Sequence, residues 1–204
     1  MRALVVDDEL ATRILLSGLA RANGLEVVSA SDGDEAWKLH EADPFPLVMT
    51  DWMMPRMSGI ELTQRIRAAQ RPDTYTYVLV ITTLSAREHT LRAFEAGADD
   101  MLCKPADAEQ IAARIAVARR FLAAHALRAE EAYRTSLEAM QAELGHEHAA
   151  LAGNLSALSK LYRGQGAAAR ARAFLRREID LLVSTSGEAD PRVATLRREL
   201  AELR

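Results

Sequence analysis

Pro46-Leu47-Val48-Met49-Thr50-Asp51-Trp52-Met53-Met54-Pro55 is the stretch on which the fold turns. Its first half is an apolar run of strand length. Pro55 and the Ser58-Gly59 pair then close it off in a loop. Asp51 is thereby placed at the carboxyl end of a buried strand, the edge where open α/β sheets hold their ligands. A carboxylate there is costly unless a cation or hydrogen bonds compensate it, so compensating groups are expected elsewhere in the chain.

Upstream, Ala3 to Val6 is a Val-rich apolar run typical of a strand buried on both faces, and it ends in Asp7-Asp8-Glu9. Leu10, Ile14, Leu15, Leu19 and Ala22 then fall at helical spacing, with Asn23-Gly24 as a C-terminal stop. Glu26 to Ala30 reads as a second strand, and Ser31-Asp32-Gly33 turns into a helix through Leu39. Downstream, a helix is expected from about Gly59 to Ala69, a strand from Tyr77 to Thr82, a helix from Arg87 to Ala96 and a strand from Asp100 to Cys103. A further helix begins at Asp107. Strands and helices alternating in this way predict a doubly wound, five-stranded parallel sheet with right-handed crossovers. The carboxyl ends of its strands share one edge. Asp7 and Asp8, then Asp51, then Thr82, then Lys104 are delivered there in order.

Three carboxylates in one crevice repel, and they call for protons or a cation. A hard divalent ion with oxygen ligands answers this, and Mg²⁺ suits a site that keeps waters for phosphate oxygens. Asp51 then becomes a nucleophile towards a phosphoryl group. The Lys104 ammonium would neutralise phosphoryl oxygens, and the Thr82 hydroxyl would donate to one of them. Each residue alone has a plainer reading as cap, turn or strand residue; their joint occurrence at consecutive strand ends outweighs it.

Val-Val-Asp7-Asp8-Glu9, Asp51-Trp-Met-Met-Pro55-Arg-Met-Ser58-Gly59, Val-Ile-Thr82-Thr83, Gly97-Ala-Asp-Asp and Lys104-Pro105 together resemble the receiver domain of bacterial two-component response regulators, over residues 2 to about 118. The resemblance implies a flavodoxin-like fold and Asp51 as phosphoacceptor, phosphorylated by a sensor histidine kinase. It further implies Mg²⁺ bound by Asp8, Asp51 and the main-chain carbonyl of Met53, with Asp7 helping through water, and a cis bond before Pro105. The sequence departs from the family in two places. The switch position three residues before the lysine is Met101 instead of an aromatic, and the positions two after Asp51 and two after Thr82 are the apolar Met53 and Leu84. Bulky apolar groups there are expected to hinder the attacking water and lengthen the life of the phosphoryl group.

The chain divides into a receiver, residues 1–120, and a helical output region, residues 121–204. They are joined by an extended helix over about 107–144, a stretch without proline or glycine that would span roughly 55 Å. Ala129-Glu-Glu-Ala-Tyr133-Arg134 ends at Gly145, and Ala171-Arg-Ala-Phe-Leu175-Arg176 ends at Gly187, an internal offset of 42 residues. Leu151, Leu155, Leu158, Leu161 and Tyr162 form an apolar stripe between them, and Gly164-Gln165-Gly166 turns the chain. This pattern resembles tetratricopeptide repeats, which implies a groove for a partner protein. Arg197 stands where the second copy wants an apolar residue, so the last helix is read as a polar cap.

Composition bounds what else is possible. The net charge of −3 and the 27% of charged residues give no electrostatic case for nucleic acid or membrane. The mild basicity of the second half is scattered over helix faces without a recognition-helix pattern, which argues against DNA. No apolar run approaches the ~18 residues of a spanning helix. The lone Cys103, read as a core residue, fits a reducing cytoplasm. His146-Glu147-His148 reads as an interhelical loop, and a phosphotransfer role for His40 or His125 would need an exposed site in a bundle. No signature of an enzymatic output is present, so chemistry is expected only as phosphoryl transfer to Asp51 and its hydrolysis. The expectation is a phosphorylation-switched adaptor with a downstream protein partner and a possible homodimer. The alternatives are a dimerising or phosphate-sink regulator without a downstream target, and a DNA-binding regulator of unrecognised fold.

Overall fold

The computed structural model describes residues 1–70 and 74–203. The chain separates into two compact units, Met1–Ala123 and Ala124–Arg204.

In the first unit the strands are β1 (Arg2–Val6), β2 (Glu26–Ala30), β3 (Leu47–Thr50), β4 (Tyr77–Thr82) and β5 (Asp100–Cys103). All pair in parallel, in the order β2-β1-β3-β4-β5. Between them run α1 (Leu10–Ala22), α2 (Gly33–Ala42), α3 (Gly59–Ala69) and α4 (Arg87–Glu95), and α5 (Ala108–Leu144) follows β5. The period of two along each strand sorts the core into two layers. Ala3, Val5, Leu47, Met49, Leu79 and Ile81 point to one face and pack under Leu16 and Ala20 of α1 and Ile111, Ile115 and Ala118 of α5. Leu4, Val6, Val48, Val78 and Val80 point to the other and meet Ala36 of α2, Leu62 and Ile66 of α3 and Ala93 of α4. Near-continuous apolar strands are what a sheet covered on both faces requires. The five-stranded, doubly wound parallel sheet expected from the sequence is the one found.

Local chemistry sets the helix ends. Asp32 caps α2, its Oδ1 accepting from the backbone N–H groups of Asp34 and Glu35 at 2.9 and 3.0 Å. Ser58 and Glu61 form a reciprocal capping box at the start of α3. The α1 reading needs correction. Leu10, Ile14 and Leu15 are 61%, 63% and 56% exposed, and the buried residues of this helix are Leu16, Ser17 and Ala20. The helix carries apolar residues on more than one side, and spacing alone did not say which side meets the sheet. Cys103 also departs from its core reading: it is exposed at the end of β5.

The helix expected from Asp107 is a single α5 of 37 residues. In the second unit its latter part is followed by one 3₁₀ turn (Ala149–Leu151), α6 (Ala152–Gly164), α7 (Ala168–Ser186) and α8 (Pro191–Glu202). Gly145 and Gly187, with φ of 86° and 88°, close α5 and α7 at positive φ, which glycine adopts without strain. The stripe Leu151, Leu155, Leu158, Leu161 and Tyr162 is buried throughout. Leu137, Ala171 and Leu181 join it in one cluster, and Leu175, Ile179, Leu182, Val193 and Leu196 form a second. The buried Tyr162 donates its hydroxyl to Glu130 at 2.6 Å and accepts from Arg134 at 2.9 Å. The helix α8 is more than a polar cap: Val193 and Leu196 are buried while Arg197 is exposed and pairs with Glu188. His148 lies in the interhelical loop and accepts from the Ala150 N–H.

Candidate functional site

The sheet register brings the expected residues to one edge. Val6 pairs with Thr50, Thr50 with Val80 and Thr82 with Cys103, so the residues that follow β1, β3 and β5 and the last residue of β4 are neighbours. The Asp51 N–H donates to Val6 O at 2.8 Å, which extends the β1–β3 ladder by one bond and fixes the start of the loop. Asp51 is 8% exposed. One carboxylate oxygen accepts from the Met53 N–H at 3.2 Å, and the other lies 3.0 Å from Lys104 Nζ. The same ammonium lies 2.7 Å from Asp7 Oδ2. Burial raises the pKa of Asp51 above the ordinary carboxylate value, against the pull of Lys104 and with a push from Asp7. For Lys104 burial is the largest influence and acts downwards, but hydrogen bonds to Asp7 and Asp51 outweigh it and the net shift is upwards. Lys104 is thus held firmly as a cation between two carboxylates.

Around this triad the loops are tied down by backbone bonds. The second oxygen of buried Asp7 accepts from the Glu9 N–H at 3.0 Å, and Arg13 donates to Asp7 O at 2.6 Å. Asp8 is exposed beside them. Thr82 is buried; its hydroxyl oxygen accepts from the Leu84 N–H at 3.2 Å, and its carbonyl accepts from Lys104 N–H at 2.8 Å. The Lys104–Pro105 peptide bond is cis. Met101 is half-buried against the cluster that lies under α2, α3 and α4. Met53 is 63% exposed and Leu84 half-buried. The loop after Asp51 closes where Gly59 N–H donates to Trp52 O at 3.0 Å, and a Cβ at Gly59 would lie 1.9 Å from Asp51 O. Within that loop Arg56 takes φ 67°, a conformation costing roughly 1–2 kcal/mol for a side chain of this kind, and pairs with Asp32.

The donors of the expected metal site are all oxygen, and their hardness suits Mg²⁺. Among the described residues, however, no three His, Cys, Asp or Glu side chains are gathered as metal ligands. The Lys104 ammonium lies between Asp7 and Asp51, and the exposed Asp8 follows Asp7 at the same edge, so the oxygen donors remain within one crevice.

Sequence reading missed several polar residues that hold this unit together. Asp99 accepts from the Val78 N–H at 2.7 Å, from Arg67 at 2.5 Å and from the Tyr75 hydroxyl. Trp52 packs edge-on against His89 of α4, with ring centroids 5.4 Å apart, and Arg92 lies over the indole. His40 is buried and accepts from the Phe45 N–H at 3.3 Å, which is incompatible with an exposed phosphotransfer histidine. No spacing rule announces such long-range polar contacts.

Known proteins place this arrangement. The family model described as response regulator receiver domain matches residues 3–116. The phosphate regulon transcriptional regulatory protein PhoB of Rhizobium meliloti is 40% identical over 113 residues, which are 54% of this chain and 48% of PhoB. This chain thus matches about half the length of that relative. The probable chemotaxis protein CheY of Rhizobium etli is 34% identical over 117 residues, 56% of this chain and 89% of CheY. Among solved structures, the Vibrio cholerae chemotaxis protein CheY4 superposes with a TM-score of 0.54 at 28% identity, covering 57% of this chain and 97% of its own. Through a stretch that holds the sheet, the three acidic positions, Thr82 and Lys104, the chain belongs to the response regulator receiver family.

Proposed function

We propose that Asp51 is the phosphoacceptor of a two-component response regulator and that residues 124–204 are its protein-binding output. The observation that carries the first part is the Lys104 ammonium 3.0 Å from Asp51 and 2.7 Å from Asp7, with Thr82 ending the neighbouring strand. In the reaction an Asp51 carboxylate oxygen attacks the phosphorus of a phosphohistidine on a sensor histidine kinase. The P–N bond breaks, the imidazole leaves, and a carboxyl–phosphoryl bond forms. Lys104 turns to the phosphoryl oxygens, and Thr82 donates its hydroxyl to one of them. Asp7, Asp8, Asp51 and the Met53 carbonyl would hold Mg²⁺, which supplies countercharge to the phosphoryl oxygens when bound. Water later hydrolyses the acyl phosphate at the same residues, and no other catalysis is assigned to the chain.

The output reading rests on the 42-residue recurrence and on two helix-ending glycines that both take a positive φ. It makes the helical unit a tetratricopeptide-like binder whose partner or self-association responds to the state of Asp51. A second reading, a regulator of transcription, is favoured by the names of relatives such as PhoB. The test begins with the full chain, a small acyl phosphate and Mg²⁺. Native mass must gain one phosphoryl group that hydroxylamine removes, and Asp51→Asn must abolish the gain. Beryllofluoride-treated chain is then compared with Asp51→Asn for partner capture, sizing and DNA footprinting. A footprint with no captured protein would replace the adaptor with the transcriptional reading.

A further inference from the structure

Glu178 is a charged residue in the wrong place for a charge. It lies in the middle of α7, between the buried Leu175 and Ile179, and is itself 6% exposed. Neighbouring Arg177 and Asp180 on the same helix are exposed. The Ser156 hydroxyl reaches its carboxyl from α6, yet Oε2 is buried without a hydrogen-bond partner. The charged groups that face it are Lys160 from α6 and Arg192 and Glu199 from α8, and none of them forms an ion pair with it. Arg163 of α6 is engaged with Glu199 at 3.1 Å, and Arg192 with Asp190 at 2.6 Å. The local cations are therefore either spent on other acids or too distant to bond.

An ionised carboxylate with an orphaned oxygen in an apolar helix junction loses most of its hydration and regains little. A proton removes that cost without moving a helix. We propose that Glu178 is the proton-binding site of a pH-sensitive device in the helical unit: protonated, it is a neutral part of the α6–α7–α8 packing, and ionised, it loosens that packing. The electrostatics agree with the geometry. Burial pushes the carboxyl up to about 7, against a downward pull from Ser156 and Lys160. The sign follows from a folded pKa above the ordinary value. The packing is fully supported below about 4.5 and loses support as pH rises through about 7, because the open state holds its proton less tightly than the closed one. The device is independent of phosphorylation at Asp51 and stands or falls without it.

The test uses the full chain with ¹³C-labelled glutamate carboxyls. One carboxyl resonance is expected to titrate with a midpoint near 7 and to be missing in Glu178→Gln. Hydrogen exchange in α6, α7 and α8, corrected for its intrinsic pH dependence, is expected to speed up roughly thirty-fold between about pH 5.5 and about pH 8.5. In Glu178→Gln that dependence is expected to be flat. The proposal is overturned if no glutamate titrates above about pH 6, or if the variant keeps the wild-type slope. If the variant does not fold, the wild-type titration decides alone.

Discussion

His40 in the receiver unit and Glu178 in the helical unit are both buried titratable side chains, and they respond to pH in opposite directions. His40 sits against Phe45, accepts its N–H, and is held near 4 by burial and by the Arg67 charge. It is a neutral, satisfied part of its core at neutral pH. Glu178 sits at a helix junction with one oxygen unsatisfied and is lifted to about 7. In the receiver the costly groups are paired: the Lys104 ammonium lies between the Asp7 and Asp51 carboxylates at a shared sheet edge. In the helical unit a cost is left standing. A site built for chemistry demands compensated charge at a fixed place, whereas a helical unit can keep a group whose ionisation changes how tightly its helices pack.

The widest separation between the units should come from Asp51→Asn. Phosphoryl uptake by the full chain is expected to fall below detection, while hydrogen exchange in α6–α8 stays as in wild type. Phosphate recovered in the helical unit, for instance on His125, would break the division of labour outright. Leu158→Ala should act in the reverse sense. It removes a fully buried side chain and is expected to cost about 3 kcal/mol, read as faster exchange of α6 and α7, with the rate of phosphoryl uptake unchanged. A loss of uptake would mean that phosphoryl transfer to Asp51 depends on the packing of α6 and α7.

The pH response of the receiver comes next. Its folded His40 pKa lies below the unfolded value, so this contribution is full above about 6.5 and is lost as pH falls from about 6.5 to about 4. The loss should approach 3 kcal/mol at most, by about 1.4 kcal/mol per unit. Both tryptophans, Trp37 and Trp52, lie in this unit, so urea unfolding followed by their fluorescence reads it selectively. His40→Gln should flatten the acid side of the profile, and an unchanged profile would remove His40 from the comparison. The smallest effect is expected at Met53, which is 63% exposed beside the site. Met53→Asn should admit water and shorten the phosphoryl half-life a few-fold, or about 1 kcal/mol in barrier. A longer half-life in the variant would reverse the role given to the apolar side chain.

Much of the receiver was legible because two short-range rules coincide with its function. Buried parallel strands write themselves as apolar runs, and the residue ending each run is placed on the common edge by topology alone. The same topology puts Asp51, Thr82 and Lys104 side by side. The packed side of α1 was not legible, since Ile14 and Leu15 are as apolar as Leu16 and only the sheet chooses between them. Nor was the Asp99 network, whose partners Arg67 and Val78 are far away in sequence. Glu178 escaped notice for a different reason: in Arg176-Arg177-Glu178-Ile179-Asp180 it looks like one more solvated charge. The helix ends of the second unit were readable from glycine, but the depth of that carboxyl was a property of three helices at once.

The closure at Gly59 bears on which sequences this fold can explore. A Cβ there would fall 1.9 Å from the Asp51 carbonyl, a main-chain atom that accepts from the buried Thr50 hydroxyl at 2.9 Å. Even alanine is excluded, and a saturation library should return glycine alone at position 59. Met53, exposed a few residues earlier, should accept a wide range of replacements. The loop after Asp51 thus joins a position closed to variation with one open to it, so under the proposed function drift at Met53 would retune the lifetime of a signal while its site stays put.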